Sequence, residues 1–231
     1  MNEIALRFTT SLFDQPLIQN QYRSAFVEAM IEPYLARSGW RHVGDNWSGW
    51  DFEHEFGTRL EVKQSAAWQT WDPYKQAASG LLPKAGSGGF DIASRMGWFD
   101  SAGAIWTKEA GRPAHLYVFA WNSLFGSAAD HRDPEQWEFF IVPTTALPAG
   151  KRIGLTRLRS IVSHVGSFMG PERCAEALLP YARCSRNTEM AVMSASPVVW
   201  WSFGERDPTR PDDDARAMAR SEAAAFCLTA T

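Results

Sequence analysis

Acidic residues and a lysine are concentrated in the stretch 49–64, where two short strand-like segments flank Gly57. Asp51 enters the first segment, and Glu61 and Lys63 lie in the second. Because alternate residues of a strand point to opposite faces, Glu61 and Lys63 share one face. Two acids and a lysine on one face can hold a divalent metal ion and position or deprotonate a water molecule.

The loop length at the turn decides which side chains meet. A three-residue loop at 56–58 places Asp51 opposite Lys63, with Glu61 on the same side of the ribbon. A two-residue loop at 57–58 turns Glu61 away from Asp51, so a shared site requires an odd-numbered loop or a bulge. With the three-residue loop, the other face carries a mostly apolar set that suits a protein core: Phe52, His54, Leu60, Val62 and Gln64.

A hairpin face with solvated charges is the alternative interpretation, and such faces are common in antiparallel sheets. In the register with the three-residue loop, however, Glu53 lies directly opposite Glu61. Like charges in this position destabilise a sheet unless something neutralises them. A bound cation would do so, which favours a metal site over surface charge.

Asp51, followed after a short turn by Glu61-Val62-Lys63, resembles the signature of the PD-(D/E)xK, or restriction-endonuclease-like, nuclease superfamily. The family's proline before the aspartate is replaced here by Trp50. A preceding helix often contributes a further acidic residue in this family, and by resemblance that residue is Glu28. The resemblance implies an α/β fold with a restriction-endonuclease-like core, in which helices flank a mixed central β-sheet in the order αβββαβ.

The resemblance also implies a metal-dependent nuclease that hydrolyses phosphodiester bonds, with DNA favoured over RNA. Asp51 and Glu61, with the Val62 carbonyl, would bind Mg²⁺ or Mn²⁺, because oxygen ligands select hard cations. Lys63 would orient or activate the attacking water and stabilise charge that develops on the phosphate. Glu28 would complete the metal shell directly or through water. Cutting both strands of a duplex would favour a homodimer, although no sequence feature identifies its interface.

Two other functions fit the same sequence. One is a catalytically inactive nucleic-acid-binding or interaction module on the nuclease fold, although a decayed copy would be expected to have lost Asp51, Glu61 or Lys63. The other is an unrelated α/β protein whose hairpin charges are surface decoration. The discriminating observation is geometric: the Asp51 and Glu61 carboxylates within shared reach of a metal, and Lys63 adjacent in a cleft.

The composition is that of an ordinary globular domain, with 45% hydrophobic and 21% charged residues and a net charge of −3. At 231 residues the chain can hold one sizeable core. We predict a nuclease-like domain at 1–184 and a peripheral segment with a terminal helix at 185–231. No apolar run is long enough to cross a membrane and no signal pattern opens the chain, so a cytoplasmic location without membrane association is expected. The three widely spaced cysteines favour neither a zinc site nor a disulfide framework.

Other segments could contact a polyanionic substrate. Bases outnumber acids between 151 and 186, which fits a local phosphate-binding surface or, equally, a solvated helix face. The loop at 84–89 lacks the ending of a phosphate loop and is expected near the catalytic cleft. Trp68, Trp71 and Trp98 lie near the motif, and packing is favoured over base stacking for each of them.

The predicted elements are assigned from apolar periodicity and from turn residues. Residues before 20 are expected to be irregular or to contain a short strand. The remaining predictions are helices at 21–37, 74–82, 171–183 and 212–220, and strands at 40–43, 115–121 and 137–143.

Overall fold

The computed structural model describes residues 2–44, 48–162 and 167–182. Within these residues the chain is a mixed α/β structure. Its strands are β1 (Trp40–His42), β2 (Phe52–His54), β3 (Arg59–Ala66), β4 (Gly89–Asp91), β5 (Trp98–Phe99), β6 (Trp106–Thr107), β7 (Leu116–Asn122), β8 (Trp137–Pro143), β9 (Arg152–Gly154) and β10 (Phe168–Met169).

The main sheet has six strands in the order β1-β2-β3-β7-β8-β10. β1, β2 and β3 form an antiparallel meander. β3 also pairs in parallel with β7, from Leu60 opposite Leu116 to Ala66 opposite Asn122. β8 is antiparallel to both β7 and β10. Two small sheets pair β4 with β9 and β5 with β6. The sheet is therefore mixed, as expected.

The described helices are α1 (Glu3–Phe13), α2 (Asn20–Ala36), α3 (Asp72–Ser79), α4 (Leu155–Ile161) and α5 (Pro171–Leu178). The helix predicted at 21–37 is confirmed as α2, which continues past Pro33. The strands predicted at 115–121 and 137–143 are confirmed as β7 and β8. Both are buried almost throughout, in agreement with their continuous apolar runs.

The expectation of an irregular or extended segment before residue 20 is wrong, because α1 occupies most of it. The side chain of Asn2 caps this helix by accepting a hydrogen bond from the Ala5 amide at 2.8 Å. Glu3 in the first turn adds a favourable charge at the helix N-terminus. Asn2 and Glu3 are the sequence signals that identify the helix start.

Buried side chains cover both faces of the main sheet. On one face, α2 and α5 pack against the apolar side of the hairpin, through Val27, Ile31, Leu35, Cys174, Leu178, Phe52, Leu60 and Val62. On the other face, aromatic residues of β7 and β8 pack with α4 and β9, through Tyr117, Phe119, Trp121, Phe140, Ile153 and Leu158. The predicted apolar face of the hairpin is confirmed at Phe52, Leu60 and Val62.

The loop between β2 and β3 has three residues, but it lies one residue earlier than predicted. Glu53 pairs with Arg59, and the His54 amide donates to the Thr58 carbonyl at 2.8 Å, which leaves 55–57 as the loop. Thr58 is 1% exposed and its hydroxyl donates to the Ala182 carbonyl at 2.8 Å. This contact fixes Thr58 in the paired part of the hairpin.

The predicted pairings of Glu53 with Glu61 and of Asp51 with Lys63 are therefore wrong. The paired register ends with Phe52 opposite Leu60, and Asp51 lies just before it, with its amide donating to the Leu60 carbonyl at 3.0 Å. Asp51 nevertheless lies beside β3, since its Oδ2 accepts the Val62 amide at 2.7 Å and the nearby carboxylate of Glu61 raises its pKa.

The segment at 185–231, with its predicted terminal helix, lies outside the described residues. Cys174 is buried on α5. None of the helices in the described ranges is long and apolar enough to cross a membrane.

Candidate active site

Asp51 immediately precedes β2, and its amide is hydrogen-bonded to the Leu60 carbonyl of β3. Its Oδ2 accepts a hydrogen bond from the Val62 amide at 2.7 Å. A Cβ added to Gly44 would lie 3.3 Å from Asp51 Oδ1, so a glycine permits the chain before β2 to pass close to the carboxylate. The Asp51 carboxylate is thereby enclosed between the β3 backbone and the segment that follows β1.

Glu61 is held on β3 by two basic side chains. The residue is 4% exposed, and its Oε1 accepts hydrogen bonds from Lys63 Nζ and, at 3.2 Å, from an amino group of Arg95. Lys63 reaches Glu61 because residues two apart in a strand share a face. Arg95 approaches from the loop between β4 and β5. The predicted pair of Glu61 and Lys63 is therefore in direct contact.

Glu28 reaches the same region from α2. Its Oε1 accepts a hydrogen bond from the Ser24 hydroxyl at 3.1 Å, and its Oε2 lies 3.0 Å from His42 Nε2 on β1. His42 Nε2 would also lie 3.3 Å from a Cβ at Gly44, beside Asp51. Glu28, the helix acid that the resemblance predicted, therefore lies close to Asp51 of the strand motif. His42 is a further residue beside both.

The negative charge around Asp51 is not balanced. Burial, and next the carboxylates of Glu61 and Glu28, raise the pKa of Asp51 well above its usual range. The Val62 amide and the Lys63 ammonium act in the opposite direction but do not cancel these effects. Burial and like charges are the features that tune acids in functional sites.

The surroundings of Lys63 favour its protonated form. Burial alone would lower its pKa, but the charge of Glu61 and its hydrogen bond outweigh burial and raise the pKa above the usual value. A lysine that holds its proton so strongly is a poor general base at neutral pH. Of the two roles predicted for Lys63, the environment favours orienting the water and stabilising phosphate charge over deprotonating the water.

The oxygen ligands of this cluster suit a hard cation. The carboxylates of Glu61 and Glu28 act electrostatically on Asp51, and a bound cation would relieve the charge that raises the Asp51 pKa. In the described ranges, no three His, Cys, Asp or Glu side chains are gathered closely enough to hold a metal as they stand. Glu61 instead binds Lys63 and Arg95. The residues fit Mg²⁺ or Mn²⁺ by ligand type and charge if Glu61 exchanges a basic partner for the cation.

Sequence reasoning missed His42 and Arg95. His42 follows Trp40 by two residues in a predicted strand, and its proximity to Glu28 depends on how β1 packs against α2. Arg95 lies 34 residues from Glu61 along the chain, in a segment without periodicity. Neither residue has a local signal that would have placed it at the site.

Comparisons of this chain with models of protein families, with curated proteins and with solved structures found no match.

Proposed function

We propose that this chain is a Mg²⁺- or Mn²⁺-dependent nuclease that hydrolyses phosphodiester bonds, with DNA favoured over RNA. One observation carries the proposal: Asp51 is hydrogen-bonded to the β3 backbone beside Glu61, Lys63 contacts Glu61, and Glu61 and Glu28 are both close enough to raise the Asp51 pKa. Surface decoration would leave these charges in solvent, where such mutual effects are weak.

Each side chain has a role that follows from its surroundings. Asp51, Glu61 and the Val62 carbonyl would hold the cation, which supplies Lewis-acid activation of water and phosphate when bound. Lys63, whose pKa is raised by Glu61, would orient the attacking water and stabilise charge that develops on the phosphate. Glu28, held by Ser24 and His42, would complete the site directly or through water.

The order of elements supports a restriction-endonuclease-like core. α2, the meander of β1, β2 and β3, then α3, and then β7 reproduce the expected order αβββαβ. β7 returns parallel to β3, which carries Glu61 and Lys63, so the motif lies on a central strand of the sheet. Between α3 and β7 the chain inserts β4, β5 and β6.

A specific observation favours a second candidate, a non-catalytic nucleic-acid-binding module on the same fold. Glu61 is already neutralised by Lys63 and Arg95, so its own charge does not require a metal. In that case no bound cation would offset the negative charge around Asp51. The two candidates therefore differ in whether a divalent cation binds at all.

Cleavage and cation binding together test the first candidate. Plasmid DNA, single-stranded DNA and RNA are incubated with Mg²⁺ or Mn²⁺, and wild type is compared with Asp51→Asn and Lys63→Ala. We expect metal-dependent cleavage of at least one substrate, abolished by both substitutions. Calorimetric titration with Mn²⁺ should show binding to wild type and none to Asp51→Asn.

Glu53→Gln is the matched control, because Glu53 lies on the same hairpin but pairs with Arg59 and Arg41 outside the cluster. It should retain cleavage and Mn²⁺ binding. If wild type neither cleaves any substrate nor binds Mn²⁺, the nuclease proposal is wrong and the binding module is favoured.

A further inference from the structure

A groove extends from the candidate active site along one side of the molecule. It consists of two adjoining cavities of about 370 and 350 Å³. One begins at Lys63, and the other is walled by the loop 84–89, which the sequence places near the cleft. Both cavities are lined by Ser65, Gln69, Trp71, Gly89 and Arg152. We call this feature the basic groove.

Basic side chains are distributed along the whole groove. Lys63 stands at one end, Arg152 lines both cavities, and Lys75 and Lys84 stand at the other end. Two acids also line it, and both have local partners. Asp72 accepts a hydrogen bond from the Gln69 amide at 2.9 Å and lies 3.5 Å from Lys75 Nζ, whereas Asp91 accepts one from the Ala93 amide at 3.1 Å. Basic residues therefore outnumber acids along the lining, which favours a polyanionic ligand.

Arg23 supplies a buried positive charge in the groove wall. Its side chain is 1% exposed, and it donates to three neutral amide oxygens: Gln64 at 2.5 Å, Gln69 at 2.9 Å and Asn20 at 2.7 Å. No carboxylate among the described residues pairs with it. Burial lowers the pKa of Arg23 to about 10, because it disfavours the charged form. A buried charge without a counter-ion is costly, and an anion in the groove would offset that cost.

Trp71 presents an aromatic surface inside the groove. It is 46% exposed, whereas the two other tryptophans near the motif, Trp68 and Trp98, are 3% and 5% exposed and serve packing. The ammonium of Lys75 lies 5.8 Å from the centre of the Trp71 ring. An exposed ring beside basic side chains is the arrangement that binds unpaired bases, since every base has a face that can stack. In a duplex those faces are covered by neighbouring base pairs.

The geometry points to a single strand of nucleic acid as the occupant of the basic groove. Its phosphates lie along Arg152 and Lys84, one base stacks on Trp71, and the strand leads to Lys63. This inference rests on the proposed nuclease function and specifies its substrate as an unpaired strand. Arg23 supports the phosphate nearest to Lys63 from within the wall.

Binding in the absence of metal tests the groove separately from catalysis. Fluorescein-labelled oligothymidylate, oligouridylate and a mixed-sequence duplex of equal length are titrated in EDTA at several salt concentrations, with fluorescence anisotropy as the readout. Wild type is compared with Arg152→Ala, Lys84→Ala and Trp71→Ala. Arg7→Ala is the charge-matched control, because Arg7 lies on α1, away from the groove lining, and is 79% exposed.

We expect each of Arg152→Ala and Lys84→Ala to flatten the slope of log K against log salt by about 0.7 for both single strands. Trp71→Ala should weaken single-strand binding by roughly 5- to 150-fold without changing the slope. Arg152→Lys should restore the slope, and Arg7→Ala should match wild type. The duplex should show no dependence on Trp71.

The outcomes separate the two proposals. Unchanged single-strand binding in all three groove variants, or an equal loss for the duplex in Trp71→Ala, overturns the assignment of the groove. If the groove variants behave as expected but wild type cleaves nothing with Mg²⁺ or Mn²⁺, the groove assignment stands and the nuclease proposal fails.

Discussion

Asp51 and Asp130 are both aspartates next to basic side chains, and their pKa values shift in opposite directions. Asp130 forms a two-point pair with Arg132, at 2.9 and 2.8 Å, and this hydrogen-bonded arginine lowers the pKa of Asp130. The same arginine also donates to the Asp14 carbonyl at 2.8 Å, so the pair ties the end of α1 to the β7–β8 connection. Each charge of this pair stabilises the other.

Among the described residues, Asp51 has no such basic partner of its own. The nearest basic side chain, Lys63, is bonded to Glu61, and the remaining charged neighbours, Glu61 and Glu28, are acids. Burial and these acids together raise the pKa of Asp51. The charges of the structural pair Asp130 and Arg132 are thus balanced within the folded chain. The negative charge around Asp51 is not balanced, as expected of a ligand site that lowers the stability of the fold.

The substitution Asp51→Asn should separate stability from activity. The asparagine oxygen can still accept the Val62 amide, while the repelled charge is removed. We expect metal-dependent cleavage to fall about 10³-fold. In EDTA the melting temperature should rise, with about 2–4 °C for each 1 kcal/mol of relieved repulsion. Calorimetric melting in EDTA and a cleavage assay on the same preparation measure both effects.

A fall in the melting temperature of Asp51→Asn would contradict the comparison. It would mean that the Asp51 charge stabilises the fold and that the cluster is structural. Glu53→Gln should leave the cleavage rate unchanged, which controls for the loss of an acid on the same hairpin.

The buried His131 should make the protein less stable in mild acid. It is fully buried: its Nδ1 accepts the Ile18 amide at 3.0 Å, so its Nε2 must carry the proton donated to the Trp68 carbonyl at 3.1 Å. Burial, with the nearby charge of Arg23, lowers the pKa of His131 to about 4, against about 6.5 in the unfolded chain. Above pH 6.5 the ring is neutral in both states. As the pH falls from 6.5 towards 4, only the unfolded state binds the proton, so stability is lost.

Between pH 7 and pH 5 this effect should cost about 2 kcal/mol of unfolding free energy. Urea denaturation at both pH values measures the cost. The variant His131→Gln is less stable at pH 7 but should lack this part of the pH dependence. Equal pH dependence in both proteins would show that His131 can be protonated in the folded state.

Arg95→Ala tests whether Glu61 must release a base in order to bind a cation. The Arg95 side chain is 47% exposed, so its pair with Glu61 contributes only about 0.2–1 kcal/mol. Its removal should tighten Mn²⁺ binding by up to about fivefold, as measured by calorimetric titration. Arg41→Ala, which removes an arginine paired with Glu53 at 3.8 Å, should leave Mn²⁺ affinity unchanged. Weaker Mn²⁺ binding in Arg95→Ala would show that Arg95 helps to form the site rather than competing for it.

Local patterns in the sequence predicted the hairpin and the proximity of Asp51 to Glu61. The hairpin could be predicted because alternating side chains and a glycine turn are local features of the sequence. The pairing itself was wrong, since Thr58 is fixed in the hairpin by a bond to Ala182, 124 residues away. Contacts of this kind depend on the folded chain and leave no local signal.

The same limit applies to the chemistry of the site. The acid on α2 could be assigned by resemblance, but the partners of Glu61 could not, because Arg95 reaches it from an aperiodic segment. The electrostatic imbalance at Asp51 likewise depends on burial and on three elements that meet in space. A short motif identifies which side chains share a face; it does not determine how their charges are balanced.

Asp130→Asn should have the smallest effect and the opposite sign to Asp51→Asn. The substitution keeps the oxygen that accepts the Arg132 amide but removes the ionic contact with the guanidinium. Both side chains are about one-third exposed, so the loss should be only about 0.2–1 kcal/mol. The melting temperature should fall by no more than about 4 °C, with cleavage unchanged. If Asp130→Asn instead stabilised the protein as Asp51→Asn does, unbalanced charge would not distinguish the candidate site from a structural ion pair, and the central argument for the site would fail.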